Sequence, residues 1–198
     1  MANRGKGGGY ERELSKMLSD WWIPGRDDIF WRTAASGGRA TNRFRQGKKT
    51  YGQSGDIQAV DPVGSPLTRV ISIEAKRGHK DAHIGDTLDR LPGKKLRWWE
   101  VFLYQAQRES EEAGVPFWML VIRRDARQAL VYIPWGLYAH LQHYGATLHQ
   151  ARPWIKVCPI TATGAKKIGF VFATTLKTFL ARVKPEHVRQ LCVDFCEV

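Results

Sequence analysis

Gly55-Asp56-Ile57-Gln58-Ala59-Val60 and Arg69-Val70-Ile71-Ser72-Ile73-Glu74-Ala75-Lys76 are the two stretches on which the reading of this chain turns. The first alternates polar and apolar residues from Asp56 to Val60, the period-two pattern of a half-buried strand. The second continues that pattern, with Val70, Ser72, Glu74 and Lys76 on one face and Ile71, Ile73 and Ala75 on the other. Between them, Asp61-Pro62-Val63-Gly64-Ser65-Pro66 is turn chemistry: Pro presets φ and Gly accepts unusual angles. The spacing predicts an antiparallel hairpin.

Upstream, Tyr10, Leu14, Met17, Leu18, Trp21 and Trp22 recur at helical spacing, and Pro24-Gly25 stops the helix they define. Residues 1–9 are Gly-rich and basic and read as a mobile lead-in, and Ile29–Thr33 reads as a short strand. Downstream, Leu96–Gly114 is an amphipathic helix with Trp99, Phe102, Leu103 and Ala106 on its apolar side. Phe117–Ile122 and Ala129–Ile133 read as strands and 135–144 as a helix. Ile155–Pro159 and Ile168–Ala173 read as strands pairing around Thr163-Gly164, and a final helix starts from Thr175. This order implies an α/β core: a helix, a mixed central sheet and flanking helices. Residues 1–125 form the core, and residues 126–198 form an α/β C-terminal extension packed on it or within the same domain.

The chemistry sits on the two opening stretches. Glu74 and Lys76 are two apart on a strand, so their side chains leave the same face. A hairpin brings the carboxylate of Asp56 beside that of Glu74. Two adjacent carboxylates repel unless a cation lies between them, and a hard divalent ion accepts such oxygens. Lys76 can then hold or deprotonate an attacking water, or neutralise charge developing on a phosphate. Alone, the Glu-x-Lys pattern is equally a salt-bridged solvent face.

Together these residues resemble the PD-(D/E)xK nuclease superfamily, with Asp56 followed by Glu74-Ala75-Lys76 on the next strand. Gly9-Tyr10-Glu11-Arg12-Glu13-Leu14, Arg32 before Ala35-Ser36-Gly37, Gly55-Asp56-Ile57 and Ile73-Glu74-Ala75-Lys76 stand in the order of archaeal-type Holliday-junction resolvases. The likeness spans roughly residues 5 to 122. It implies a restriction-endonuclease-like fold and a Mg²⁺-dependent DNA endonuclease, with Mn²⁺ as substitute, acting as a homodimer on DNA structures such as junctions. By resemblance Glu11, Asp56, Glu74 and Lys76 are catalytic. Asp56, Glu74, the Ala75 carbonyl and Glu11, directly or through water, are the metal ligands. Arg12, Arg32 and Ser36 fall where the resolvases contact DNA, and Gln105 resembles a Gln that superfamily members point at the site. A sequence-specific restriction-type endonuclease and a non-catalytic nucleic-acid-binding module are the competing readings.

Charge supports a polyanionic partner. Lys and Arg number 31 against 19 Asp and Glu, a net of +12. From Ser36 to Gly55 there are five cations, Arg39, Arg43, Arg45, Lys48 and Lys49, and no acid. Arg77 opens a second basic stretch that runs to Arg97 and contains Pro92-Gly93. Both read as DNA-contacting loops.

Other features exclude whole classes. Eight Trp and eight Phe supply enough burial to exclude a disordered polyelectrolyte. The apolar run Pro116–Ile122 is far short of the ~20 residues of a membrane span, so no membrane contact is expected. No leader-like apolar stretch precedes Tyr10, and Cys158, Cys192 and Cys196 cannot all pair within one chain. A soluble cytoplasmic protein is the expectation. No phosphate-binding Gly-Lys loop is present. His140 and His143 read as a surface pair, and His79 and His83 as loop residues. Trp98 is the aromatic residue best placed for base stacking.

Overall fold

Tyr10, Leu14, Leu18 and Trp22 form one buried stripe along helix α1 (Arg4–Trp22), and that stripe organises one side of the molecule. The computed structural model describes residues 4–33, 55–79, 84–85, 98–157 and 168–196. Helix α1 begins at Arg4, six residues before the first apolar position of the sequence pattern. The glycines of its first turns carry no side chain, so no periodicity could mark them.

Two short strands follow, β1 (Phe30–Arg32) and β2 (Ile57–Ala59), paired antiparallel with Trp31 opposite Gln58. Ser19, buried in α1, accepts hydrogen bonds from the backbone N–H groups of Ile29 (3.2 Å) and Phe30 (2.9 Å), fixing β1 beneath the helix.

The expected hairpin is not formed. The carboxylate of Asp61 accepts the Val63 N–H (2.9 Å) and Pro62 opens a 3-10 turn that leads into helix α2 (Ser65–Val70). Asp-Pro therefore acts as a helix-type cap, not as a β-turn. Arg69 and Val70 belong to α2, and strand β3 (Ile71–Arg77) starts one residue later. β3 pairs with β4 (Phe117–Arg123) in parallel, with helix α3 (Trp98–Ala113) between them in sequence.

Strands β5 (Leu130–Pro134), β6 (Trp154–Val157) and β7 (Val171–Thr175) complete a five-stranded mixed sheet in the order β3-β4-β5-β7-β6. Its last three strands come from residues beyond 126. The expected pairing of the β6 and β7 segments forms, with Ile155 opposite Ala173, although β7 starts at Val171 where Ile168 was expected. Helices α4 (Trp135–His143), α5 (Leu176–Arg182) and α6 (Pro185–Cys196) finish the fold. The expected single final helix is thus two: Thr175 caps α5 through its hydroxyl, which accepts the Thr178 N–H (3.1 Å), and Pro185 starts α6 afresh.

The sheet separates two apolar layers. Ile71, Ile73, Met119 and Val121 pack with α1 and with Leu137, Phe179 and Leu191 of the later helices. Leu120, Ile122 and Tyr132 pack with Trp99, Phe102 and Leu103 of α3. This α/β arrangement is compatible with the restriction-endonuclease-like fold expected. β3 is an edge strand of the sheet, and the alternation of its side chains turns Glu74 and Lys76 toward α3.

Candidate active site

Asp56 reaches Glu74 by a different route from the expected hairpin. Its N–H donates to the Ile73 carbonyl (2.7 Å), and its Oδ2 accepts the Ala75 N–H (2.9 Å). The Thr33 N–H donates to the Asp56 carbonyl (2.8 Å), so one residue ties the β1–β2 pair to the free edge of β3. A strand residue presents its N–H and C=O to the same side, so the Ala75 carbonyl also faces that edge. Gly55 permits the approach. Its φ is +68°, and a Cβ there would stand 2.9 Å from the Ile73 carbonyl carbon and nearer still to its oxygen. The Gly-Asp pair was visible in the sequence, but the close backbone contact that demands Gly was not.

Glu74 is 3 % exposed and Asp56 6 %. The Oε1 of Glu74 accepts from the ammonium of Lys76 and from Nε2 of Gln105 (2.9 Å). Gln105 also donates to Oε1 of Glu109 (2.9 Å), four residues on along α3. Glu109 was not anticipated, although a helix places residue i+4 on the same face as Gln105. The second oxygen of Glu74, Oε2, is buried with no hydrogen-bond partner among the described residues. Such an oxygen costs about 1–3 kcal/mol or more if left so, and it suits a ligand not drawn from side chains.

Electrostatics point the same way. Burial, and then the charge of Asp56, hold the Glu74 carboxyl well above the usual range. Glu11 is raised for the same two reasons, with Arg32, Lys76 and Arg12 acting against them. Burial works against the Lys76 ammonium, but the charges of Glu74, Asp56 and Glu109 outweigh it and its pKa is also raised. All three shifts are the response of a site that would gain from added positive charge, a proton or a cation. Two hard carboxylates with an orphaned oxygen fit a divalent ion of the Mg²⁺ type. Among the described residues, no three His, Cys, Asp or Glu side chains converge to hold a metal by themselves. Backbone carbonyl, water or phosphate oxygens would complete the coordination.

Glu11 lies on the Asp56 side, with Oε2 3.8 Å from Nη1 of Arg32. Its neighbour Glu13 faces elsewhere and pairs with Arg77 (3.8 Å) and Arg123. Arg12 is exposed and donates to the Gly8 carbonyl (3.1 Å). Arg77 is one-third exposed, next to Lys76 in sequence and 6.0 Å from the Tyr10 ring. Ser36, Arg39, Arg43, Arg45, Lys48, Lys49 and His83 lie outside the described residues.

An aromatic group adjoins Lys76, whose ammonium is 5.4 Å from the centre of the Phe102 ring. Trp98 stacks on Phe102 (5.8 Å, 29°) and His79 leans on both rings. Trp98 is 53 % exposed. His140, by contrast, is packed between Phe117 and Phe195. Among the described residues, no helix is long and apolar enough to cross a membrane.

The profile of a family described as phage putative PDDEXK endonuclease matches residues 2–190. No curated protein and no solved structure matches the chain.

Proposed function

Because the chain belongs to the phage PDDEXK endonuclease family, we propose that it is a divalent-metal-dependent endonuclease that hydrolyses phosphodiester bonds in DNA. The observation that carries this reading is the buried Oε2 of Glu74, without a hydrogen-bond partner among the described residues, beside Asp56 and Lys76. Asp56 and Glu74 would hold the ion, Mg²⁺ with Mn²⁺ as substitute, with the Ala75 carbonyl completing the set and Glu11 reaching it through water. Such an ion supplies Lewis acidity and makes water a stronger nucleophile near neutral pH.

The residues themselves supply position and charge. Gln105 holds Glu74 in one rotamer, and the Ala75 N–H does the same for Asp56. Lys76, whose ammonium donates to Glu74 and is favoured by the charges of Glu74, Asp56 and Glu109, is placed to act as a hydrogen-bond donor and counter-charge to the phosphate. Arg12 and Arg32 bind flanking phosphates. The oxygen of water bonds to phosphorus as the bond to the 3′ oxygen breaks, a proton from that water ends on the departing 3′ oxygen, and the products carry a 5′-phosphate and a 3′-hydroxyl.

Within this class, the Gly9–Leu14 segment with Arg32 and Gly55-Asp56 favours a structure-selective, resolvase-like enzyme. A four-way junction needs two cuts, so a homodimer goes with that reading. The test is cleavage of labelled junction, flap and plain duplex with Mg²⁺, with EDTA, and by Asp56→Asn. Metal-dependent cutting of branched DNA by the unsubstituted chain alone is expected, with a dimer by light scattering. Cutting at one short duplex sequence would favour the restriction-type reading. Folded protein that binds DNA and cuts none of the three would favour a binding module.

A further inference from the structure

The ends of four strands meet on one rim of the sheet. β4 runs parallel to β3, and β5 runs antiparallel to both β4 and β7. The C-terminal ends of β3, β4 and β7 therefore lie beside the N-terminal end of β5: Arg77 is in register with Arg123, and Leu130 with Ile122 and Thr175. Each end carries a cation. Lys76 and Arg77 close β3 and Arg123 closes β4, Arg127 precedes β5, and Lys177 follows β7.

Neighbouring strands are ~4.8 Å apart, so the row from β3 to β7 spans about 14 Å. A nucleic-acid strand rising ~3.4 Å per nucleotide passes about four phosphates over that distance. The rim borders a cleft of about 490 Å³, walled on the far side by Tyr10, Glu13 and Met17 of α1. The cleft lies on the α1 face of the sheet, where Arg123, in register with Arg77, stands 5.8 Å from the Tyr10 ring and Arg77 stands 6.0 Å from it.

Its floor is fixed: the Leu176 N–H donates to the Ala129 carbonyl (2.8 Å), joining the β4–β5 turn to the start of α5. Glu13, the acid inside the cleft, is neutralised by Arg77 and Arg123. Arg127 and Lys177 are exposed, and among the described residues neither side chain makes a hydrogen bond or ion pair. The polyanion that fits this row of exposed cations is a phosphodiester backbone.

We propose that this rim tracks the phosphates of a DNA strand leading away from Lys76, so that Arg123, Arg127 and Lys177 extend substrate contact into residues beyond 120. The proposal rests on the nuclease reading for its ligand. It is tested by fluorescence anisotropy with a labelled duplex of about 30 base pairs, in EDTA so that nothing is cut, across a range of salt. Each phosphate contact adds about 0.9 to the log–log salt slope. Arg127→Ala/Lys177→Ala is expected to lose about 1.8 of that slope. Raising salt fourfold should then weaken the unsubstituted chain about twelvefold more than the variant. Arg127→Gln/Lys177→Gln gives the same measurement if the alanine pair misfolds. An unchanged slope, or no duplex binding by the unsubstituted chain, overturns the rim. The two readings separate cleanly: cleavage with an unchanged slope rejects the rim alone, whereas the expected slope loss in a protein that cuts nothing rejects the nuclease alone.

Discussion

Gly55→Ala is the substitution whose consequence the structure specifies most closely. Placing alanine at φ +68° costs about 1–2 kcal/mol from backbone sterics alone. The new Cβ would also meet the Ile73 backbone at 2.9 Å or less, and Ile73 is a fully buried residue in the sheet. The segment carrying Asp56 must therefore move outward. That motion breaks the Asp56 N–H bond to Ile73, a neutral bond worth about 1 kcal/mol, and the Ala75 bond to the Asp56 carboxylate, worth about 1.5–3 kcal/mol. The total is about 3.5–6 kcal/mol, or roughly 7–24 °C in Tm at about 2–4 °C per kcal/mol for a chain of this size. Gly25→Ala is the control: its φ is +84° but a Cβ there meets nothing within 4 Å, so only the backbone cost of about 1–2 kcal/mol applies. Thermal unfolding of both variants separates strain from collision. Cleavage by Gly55→Ala should fall about a hundredfold or more, as for a catalytic group moved by about 1 Å. A Gly55→Ala protein that melts with Gly25→Ala and cuts at the unsubstituted rate would falsify this account of how Asp56 is held.

Asp56→Asn keeps an acceptor for the Ala75 N–H but removes the charge that pushes Glu11 and Glu74 upward. Its Tm should match or exceed that of the unsubstituted chain while cleavage falls beyond the 10–100-fold typical of losing even an outer metal partner. Divalent metal at about 100 times its Kd should stabilise the unsubstituted chain by about 2.7 kcal/mol and leave Asp56→Asn unmoved; equal shifts in calorimetry would reject these ligands. Trp98→Ala should weaken binding of single-stranded DNA by about 1–3 kcal/mol, roughly 5- to 150-fold, and hardly affect duplex, with Trp98→Phe in between; equal losses on both DNAs would exclude stacking. Burial raises the Tyr10 and Tyr132 hydroxyls to about 12. In the unfolded chain they titrate near about 10, so that state loses its protons first. Stability is therefore full below about pH 10 and falls as pH climbs toward about 12. A denaturation midpoint constant across that window would count against their burial.

Much of this protein is legible in one dimension because it depends on periodicity. The four-residue recurrence of Tyr10, Leu14, Leu18 and Trp22 marks a helix with one buried face, and it has one. Alternation along Ile71–Lys76 places Glu74 with Lys76 and sends Ile71 and Ile73 to the opposite layer whether the strand's partner is parallel or antiparallel. Side-chain direction is a local property of backbone geometry, so these relations survive an error in topology. Partner choice is not local. Asp61-Pro62 is compatible with a β-turn and with a helix cap, and which forms depends on whether Leu67 and Val70 find a core to enter. Both are buried, so the hairpin gave way to a crossover and Asp56 reached β3 from a separate ribbon. Likewise Gln105, Glu109 and the row from Arg77 to Lys177 come together only because strands distant in the chain lie side by side. Composition and spacing by themselves determined the chemical inventory and the face each group occupies. Only the packing of sheet and helices decided which groups meet, because contact between remote residues is set by competing burial across the whole chain and leaves no periodic trace within any one segment.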